Sequence, residues 1–333
     1  MSLKITMSLE EFLLEWRNDS PYVEVKTSGS TGEPKRMMVE KRRMMNSARI
    51  TCDFLGLKPG DTALLCMSLD YIAGKMMAVR SIERGLRLIS VAPSGHPLAT
   101  DNCQLSMINY QLSFAAMVPM QVYNSLHVPE EKERLMQIKH LIIGGGAIDE
   151  SMEEELRDFP NAVWSTYGMT ETLSHIALRR LNGKEASEWY EPFPSVKVRL
   201  NEEGCLVIDA PEVCEETLVT NDIAEIEASG RRFRILGRKD NVICSGGIKI
   251  QTEEVERTLK PYLDAPYMIS KRPDPKFGEI VVLLTEGDIS DAREACERIL
   301  PKYQQPKDYL RVDRIPLTET GKPARKEAEK LAL

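Results

Sequence analysis

The sequence contains no apolar run long enough to cross a bilayer, so membrane insertion is not expected. Its seven cysteines are odd in number, scattered and without a CxxC pair, which indicates neither a disulfide framework nor a zinc site. The four histidines, His96, His127, His140 and His175, lack metal-ligand spacing and disfavour a catalytic zinc. The stretch from Met1 to Trp16 lacks the cationic start and apolar centre of a signal peptide and carries Glu10, Glu11 and Glu15 instead. A reducing cytoplasm is the expected location. Positive charge is not in excess either. A net charge of −7 argues against a general nucleic-acid or anionic-membrane binder, while leaving room for a local basic patch that holds a phosphorylated ligand. No internal repeat and no low-complexity tract is found.

What is present is ordinary globular material. With 333 residues, 42% hydrophobic and 29% charged, the chain can bury a large core, and the length suggests two domains. Leu9, Phe12, Leu13 and Trp16 recur at helical spacing, and Tyr22-Val23-Glu24-Val25 then alternates as a strand. Arg43 to Leu55 reads as a helix stopped by Gly56 and the Pro59-Gly60 turn. Ala63 to Met67, the loop Asp70 to Gly74, a helix from Lys75 to Glu83 and a strand from Leu86 to Val91 continue an α/β rhythm. Phe114 to Met117, Leu141 to Ile143 and Ala162 to Trp164 read as further buried strands. The middle one runs into Gly144-Gly145-Gly146-Ala147, with Ser151 and Glu154 as the expected capping box of the next helix.

After Tyr190 the pattern becomes β-rich, with Val196 to Leu200 and Cys205 to Ile208. The expected organisation is a large α/β domain over residues 1–236 with a β-rich subdomain, a hinge at 237–240, and a small α+β domain over 241–333.

One stretch stands out for chemistry. Thr27-Ser28-Gly29-Ser30-Thr31-Gly32-Glu33-Pro34-Lys35 packs hydroxyls, glycines and a cation into nine residues after a short apolar segment. Glycines allow backbone N–H groups to converge on phosphate oxygens, hydroxyls add donors and Lys35 adds charge. It is not a Walker loop, because Lys35 lies between Pro34 and Arg36. The same composition also describes a surface turn.

The order of signals separates the two readings. The cradle is followed by Tyr167-Gly168-Met169-Thr170-Glu171-Thr172, by Val219-Thr220-Asn221-Asp222, by Gly237 to Lys249, and by Thr318 to Lys326. Together these five motifs resemble the adenylate-forming acyl-CoA synthetase superfamily, over roughly residue 22 to the end. The resemblance implies a two-step reaction. A carboxylate attacks the α-phosphorus of ATP to give an acyl-adenylate and pyrophosphate, and a thiol then takes the acyl group and releases AMP.

It also implies roles. Thr27, Ser28, Gly29, Ser30, Thr31, Gly32 and Lys35 would hold the β and γ phosphates. Tyr167 would stack on adenine, facing the turn of Gly145, Gly146 and Ala147, with Gly168 and Thr170 beside it. Glu171 would ligate Mg²⁺, and Asp222 and Arg238 would hold the ribose. Lys322 would reach the α-phosphate and the carboxylate in the first half-reaction. Asp240 would be the hinge about which the small domain rotates, bringing Ser245, Gly246, Gly247 and Lys249 to coenzyme A. Taken singly, each of these residues would pass as an ordinary core or surface side chain.

Two departures accompany the resemblance. Asn221 stands where the superfamily commonly has Gly. Only twenty-six residues precede the cradle, where relatives carry well over a hundred, so an N-terminally shortened adenylate-forming fold is expected, its exposed face covered by a second copy of the chain.

The compact length and the segment Tyr71 to Met77 are similar to the 2-succinylbenzoate-CoA ligases of menaquinone synthesis, with Tyr71 at the place of a His in longer members. That acid is an aromatic keto-dicarboxylate, so the carboxylate that does not react needs a partner. Lys75 is the candidate, with Ser174 and His175 as pocket walls, although a solvated Lys75 and a structural His175 fit the same positions. Another aryl- or acyl-CoA ligase, or one that loads a carrier protein, would share every nucleotide motif. A non-catalytic adenylate-binding module is opposed by intact Glu171 and Lys322.

Overall fold

The computed structural model describes residues 7–26, 36–99, 112–146, 148, 150–318 and 322–333. The first described element is helix α1 (Leu9–Arg17), whose start is fixed by a capping box. Glu11 N–H donates to Ser8 Oγ at 3.2 Å, and the Glu11 carboxylate accepts from Ser8 N–H at 2.7 Å. Strands β1 (Tyr22–Lys26) and β2 (Arg36–Glu40) pair antiparallel. Helix α2 (Lys41–Leu55) buries Met44, Ser47, Ala48, Thr51, Cys52 and Leu55, a single stripe at three- and four-residue spacing, and ends at Gly56 with φ of +65°.

Strand β3 (Thr62–Leu65) leads to α3 (Ile72–Arg84), which starts three residues before the expected Lys75. This helix is buried without interruption from Gly74 to Ser81, so its surroundings are protein on every side. Gly74 makes its entry possible, since a Cβ there would lie 2.2 Å from the Ser68 carbonyl oxygen. Then follow β4 (Arg87–Ser90), β5 (Phe114–Met117), α4 (Pro119–Leu126), α5 (Pro129–Gln137), β6 (His140–Ile143), α6 (Glu150–Leu156), β7 (Ala162–Gly168), β8 (His175–Arg180) and β9 (Glu191–Pro192). Ser151 lies inside α6, because the helix already runs at Glu150; the expected capping box there is corrected.

These strands make a seven-stranded sheet in the order β4-β3-β5-β6-β7-β8-β9. Pairing is parallel from β4 to β7, and β8 and β9 close that side antiparallel. The order reverses at β3, whose neighbours are β4 and β5. In such open sheets ligands gather at the carboxyl ends of the strands. Leu64, Ala115, Met117, Leu141, Ile143 and Val163 from four of these parallel strands form the centre of one core cluster.

Strands β10 (Lys197–Leu200), β11 (Cys205–Asp209), β12 (Leu218–Ile226) and β13 (Phe233–Arg238) form a four-stranded sheet in chain order, as the β-rich pattern led one to expect. The chain divides into two compact units. One holds the described residues up to Val198 with Ile208–Leu218 and Glu227–Phe233; the other holds Arg199–Val207, Val219–Ile226 and Arg234–Leu333. The division is therefore not the single cut near 237 that the sequence suggested.

In the second unit, β14 (Val242–Ser245), β15 (Ile248–Gln251), β16 (Tyr267–Asp274), β17 (Gly278–Thr285) and β18 (Asp308–Arg311) form a mixed sheet, with helices α7 (Thr252–Leu259), α8 (Ile289–Ile299) and α9 (Arg325–Leu331). Alternation along β17 divides its core. Val281 and Leu283 face Val255, Leu259 and Cys296, whereas Ile280, Val282 and Leu284 face Ala328 and Ala332.

Candidate active site

In the first unit the site is built by loops that leave the carboxyl ends of β3, β6 and β7. Strand β7 runs on to Gly168, so Tyr167 and Gly168 are its last residues and not part of a following loop. Pairing with β8 slips between them, Tyr167 facing Ala177 and Gly168 facing His175. A Cβ at Gly168 would lie 2.2 Å from the Ser174 carbonyl oxygen, so only glycine permits this return of the chain. The half-buried Tyr167 ring meets Phe233 edge-on at 5.1 Å and lies 5.8 Å from Tyr190, which itself stacks on Phe233 at 24°. Tyr190 and Ser165 share a hydrogen bond of 2.8 Å between their hydroxyls. A Cβ at Gly144 would lie 2.2 Å from Thr166 Oγ1, and Gly145 has φ of +83°. The glycine turn thus starts against Thr166, the residue before Tyr167.

The Thr170 to Ser174 segment is tightly turned. Leu173 N–H donates to the Thr170 carbonyl at 2.9 Å and Ser174 N–H to that of Thr172 at 2.7 Å. The buried Thr172 hydroxyl accepts from Met169 N–H at 3.1 Å and lies 2.7 Å from the Ser174 carbonyl oxygen. Leu173 is held at φ of +64°, a left-handed conformation that costs a non-glycine residue roughly 1 kcal/mol or more. The outcome is opposite placement of two neighbours: Glu171 is exposed, and Ser174 turns toward Arg80.

Arg80 is the residue that sequence reasoning missed. It lies on α3, 2% exposed, and donates from Nη2 to Ser174 Oγ at 2.6 Å. Its Nε has no partner, and no carboxylate among the described residues pairs with it. Burial pushes its pKa down to about 10. A buried charge without a counter-charge is costly, so this guanidinium marks a place where an anion would be stabilised. The available signal was one cation ending the apolar run Met76-Met77-Ala78-Val79.

His175 is also buried. Its Nε2 shares a hydrogen bond with Thr51 Oγ1 at 3.1 Å and its Nδ1 with Ser174 Oγ at 3.3 Å. Burial, and next the Arg80 charge, lower it well below the ordinary 6.5, which leaves a neutral imidazole bracing the wall. Lys75, expected as the counter-charge for a second carboxylate, is instead committed elsewhere. Its buried Nζ lies 3.1 Å from Glu15 Oε2 and 5.3 Å from the centre of the Phe12 ring, so it fastens α1. Tyr71, half-buried, occupies the N-cap position of α3 and bridges Lys26, the last described residue before the cradle. Thr27, Ser28, Gly29, Ser30, Thr31, Gly32 and Lys35 lie outside the described residues, as does Ala147.

In the second unit the candidate ribose residues form an ionic chain. Arg238 donates from Nη1 to Asp222 Oδ1 at 3.1 Å and from Nη2 to Asp240 Oδ2 at 2.9 Å. Asn221 Nδ2 donates to the same Asp240 oxygen at 3.2 Å. Asp222 N–H donates to Thr220 Oγ1 at 3.0 Å, and that hydroxyl donates to the Leu206 carbonyl at 2.8 Å. Asp240 sits in a short 3₁₀ turn, Lys239–Asn241, with Lys239 on Glu203 at 2.6 Å. Ser245 pairs with Ile248 across Gly246 and Gly247, whose φ values of +57° and +83° make a two-residue hairpin turn. Lys249 is exposed one residue on.

Lys322 is half-buried. Its N–H donates to Thr318 Oγ1 at 3.0 Å and its carbonyl accepts from Thr318 N–H at 2.7 Å. Burial, and next the Arg238 charge, lower its ammonium below the ordinary lysine range.

Known proteins share this architecture. A family model described as AMP-binding enzyme matches residues 12–213. The 2-succinylbenzoate–CoA ligase of Salmonella typhimurium is 25% identical, with 93% of this chain and 68% of the relative covered. That of Lactococcus lactis is 23% identical, covering 90% and 69%. A crystal structure of an acyl-CoA synthetase (AMP-forming)/AMP-acid ligase II-like protein from Dyadobacter fermentans is 31% identical, covers 97% of this chain and 92% of its own, and superposes with a TM-score of 0.64. The O-succinylbenzoate coenzyme A synthetase of Bacillus subtilis, solved with ATP and magnesium, shares the fold at 22% identity and a TM-score of 0.73, covering 91% and 69%. The chain belongs to the AMP-binding enzyme family.

Proposed function

We propose that the protein is an ATP-dependent acid–thiol ligase that adenylates a dicarboxylic acid, 2-succinylbenzoate being the candidate, and passes the acyl group to coenzyme A. The observation that carries the choice of acid is the buried Arg80 guanidinium, held by Ser174 and lacking a carboxylate partner among the described residues. A dicarboxylate can offer one group to chemistry and the other to this charge. The names of the curated relatives support the same acid.

In the first half-reaction a substrate carboxylate oxygen attacks the α-phosphorus of ATP. The carboxyl oxygen–phosphorus bond forms, the bond to the bridging β-phosphate oxygen breaks, and pyrophosphate leaves. An anion meets a polyanion, so oriented donors and cations must offset repulsion. In this reading Lys322 donates to the α-phosphate and carboxylate oxygens, and Lys35 with the hydroxyls of Thr27, Ser28, Ser30 and Thr31 holds the departing pyrophosphate. Tyr167 lies against adenine beside Gly145 and Gly146, and Asp222 with Arg238 holds the ribose hydroxyls.

The residues fit a magnesium ion. Glu171 is exposed and unpaired among the described residues, and its carboxylate oxygens are the donors a hard cation prefers, so it would hold the ion. When bound, magnesium supplies charge neutralisation at the phosphate oxygens. In the second half-reaction the coenzyme A sulfur attacks the acyl carbon, the carbon–oxygen bond to AMP breaks, and the thiol proton passes to solvent. Ser245, Gly246, Gly247 and Lys249 would line the pantetheine path, with Asp240 as the pivot.

A panel of mono- and dicarboxylic acids, with AMP release followed and the thioester weighed by mass spectrometry, tests the proposal. AMP formation that requires both 2-succinylbenzoate and coenzyme A is expected. Turnover of simple monoacids with no response to any diacid would overturn the choice of acid, and no pyrophosphate release with any acid would overturn the ligase reading.

A further inference from the structure

The arm that carries Lys322 leaves the body of the second unit at two roots, and a carboxylate grips each. At the first, the Ile315 N–H donates to Glu286 Oε1 at 2.7 Å, and the Ile315 side chain is buried against Met268 and Leu284. At the second, Arg325 donates from Nη1 and Nη2 to the two Glu256 carboxylate oxygens, both at 2.6 Å, and from Nη1 to the Ile269 carbonyl at 3.0 Å. Glu256 is itself fixed, since Oε1 also accepts from Ile269 N–H at 2.8 Å and its carbonyl accepts from the Tyr267 hydroxyl. Between the roots, described residues on its two sides are bonded, Ala324 N–H to the Pro316 carbonyl at 3.0 Å and Thr318 to Lys322.

From these contacts we infer that Glu256 and Arg325 are positioning residues for Lys322, required for adenylate formation and dispensable for thioester formation. The inference rests on the reading of Lys322 as the cation of the first half-reaction. Lys322 is tied to Thr318 and lies two residues before Ala324, which bonds Pro316, so its orientation is set through these described residues at the roots. A bidentate guanidinium–carboxylate pair fixes an angle as well as a distance, which a single ammonium contact does not. Arg325 lies three residues from Lys322, so a change of direction at this root is carried straight to the ammonium. Displacement of a reacting group by about 1 Å can cost on the order of 100-fold in rate. Among the described residues neither Glu256 nor Arg325 bonds to Lys322, so they act through the arm.

The experiment separates the half-reactions in the full chain. Pyrophosphate exchange into ATP with 2-succinylbenzoate reads the first, and conversion of supplied succinylbenzoyl-adenylate with coenzyme A reads the second. Arg325→Ala and Glu256→Gln are each expected to lower kcat for exchange by about tenfold or more, with KM for ATP and thioester formation within about twofold of the parent. Arg325→Lys should recover part of the loss. Equal losses in both half-reactions, or none in exchange, would overturn the inference. Lys322→Ala, measured alongside, reports on the underlying reading: if it too impairs both steps equally, that reading fails first. A second measurement needs no substrate. The rate at which acetic anhydride labels Lys322, followed by mass spectrometry, should rise about threefold or more in Glu256→Gln and Arg325→Lys while other lysines are unchanged. Unaltered labelling of Lys322 would contradict the inference even if Arg325→Ala fails to fold.

Discussion

Arg80 on the buried helix α3 donates to the Ser174 hydroxyl at 2.6 Å and has no carboxylate partner among the described residues. Ser174 is three residues beyond Glu171, so the strained turn at Leu173 joins an outward carboxylate to the inward hydroxyl that holds Arg80. One loop thus carries the candidate metal ligand and the hydroxyl that orients the candidate substrate anchor on α3.

An isolated buried charge makes a distinctive prediction. Arg80→Met removes the desolvation cost and is expected to raise unfolding free energy by about 1–3 kcal/mol, read by denaturant titration. The same change should lower kcat/KM for a dicarboxylic acid by about tenfold or more. A variant that is both destabilised and fully active would remove Arg80 from the site.

Lys75 behaves in the opposite way. Its charge is balanced by Glu15, so Glu15→Gln should cost about 1–3 kcal/mol of stability, less than a fully enclosed pair because Glu15 is partly exposed. The KM for the acid should not move. A raised KM with unchanged stability would return Lys75 to the substrate pocket.

Gly168→Ala is expected to be severe. The added carbon would meet the Ser174 carbonyl at 2.2 Å and His175 Cα at 2.5 Å, both backbone atoms that cannot swing aside. A loss of about 2–4 kcal/mol and of adenylate formation is expected, measured by thermal unfolding and pyrophosphate exchange.

The buried neutral His175 sets a pH dependence. Its folded-state value lies well below the unfolded 6.5, so at pH below about 6.5 the unfolded chain binds the extra proton and stability falls as pH falls. At higher pH this contribution is fully present. His175→Asn should flatten the slope of unfolding free energy between pH 6.5 and 5 by up to about 1.4 kcal/mol per pH unit. An unchanged slope would mean that His175 titrates normally.

Local signals were legible where chemistry and backbone geometry coincide. The apolar strands, the Gly144 to Gly146 turn and the Tyr167-Gly168 pair stand out because glycine and aromatic residues are needed at those positions whatever lies around them. The partners of Lys75 and Arg80 were not legible. Helix α3 is buried on every side, so periodicity gives no face, and Glu15 lies 60 residues from Lys75 in the chain. Sequence reasoning reached Lys75 and missed Arg80, five residues on along the same helix; only packing separates the balanced cation from the unbalanced one. The roots of the arm that carries Lys322 were not legible either, because they are fixed by Glu256 and Glu286, which carry no motif.

The most direct test compares 2-succinylbenzoate with 3-benzoylpropanoate, which lacks the ring carboxylate, in pyrophosphate exchange by the parent and by Arg80→Met. The parent should favour the diacid by about tenfold or more, and the variant should bring the two acids near parity. Equal exchange with both acids in the parent, or a preference that survives in Arg80→Met, would contradict the assignment of Arg80 to the second carboxylate.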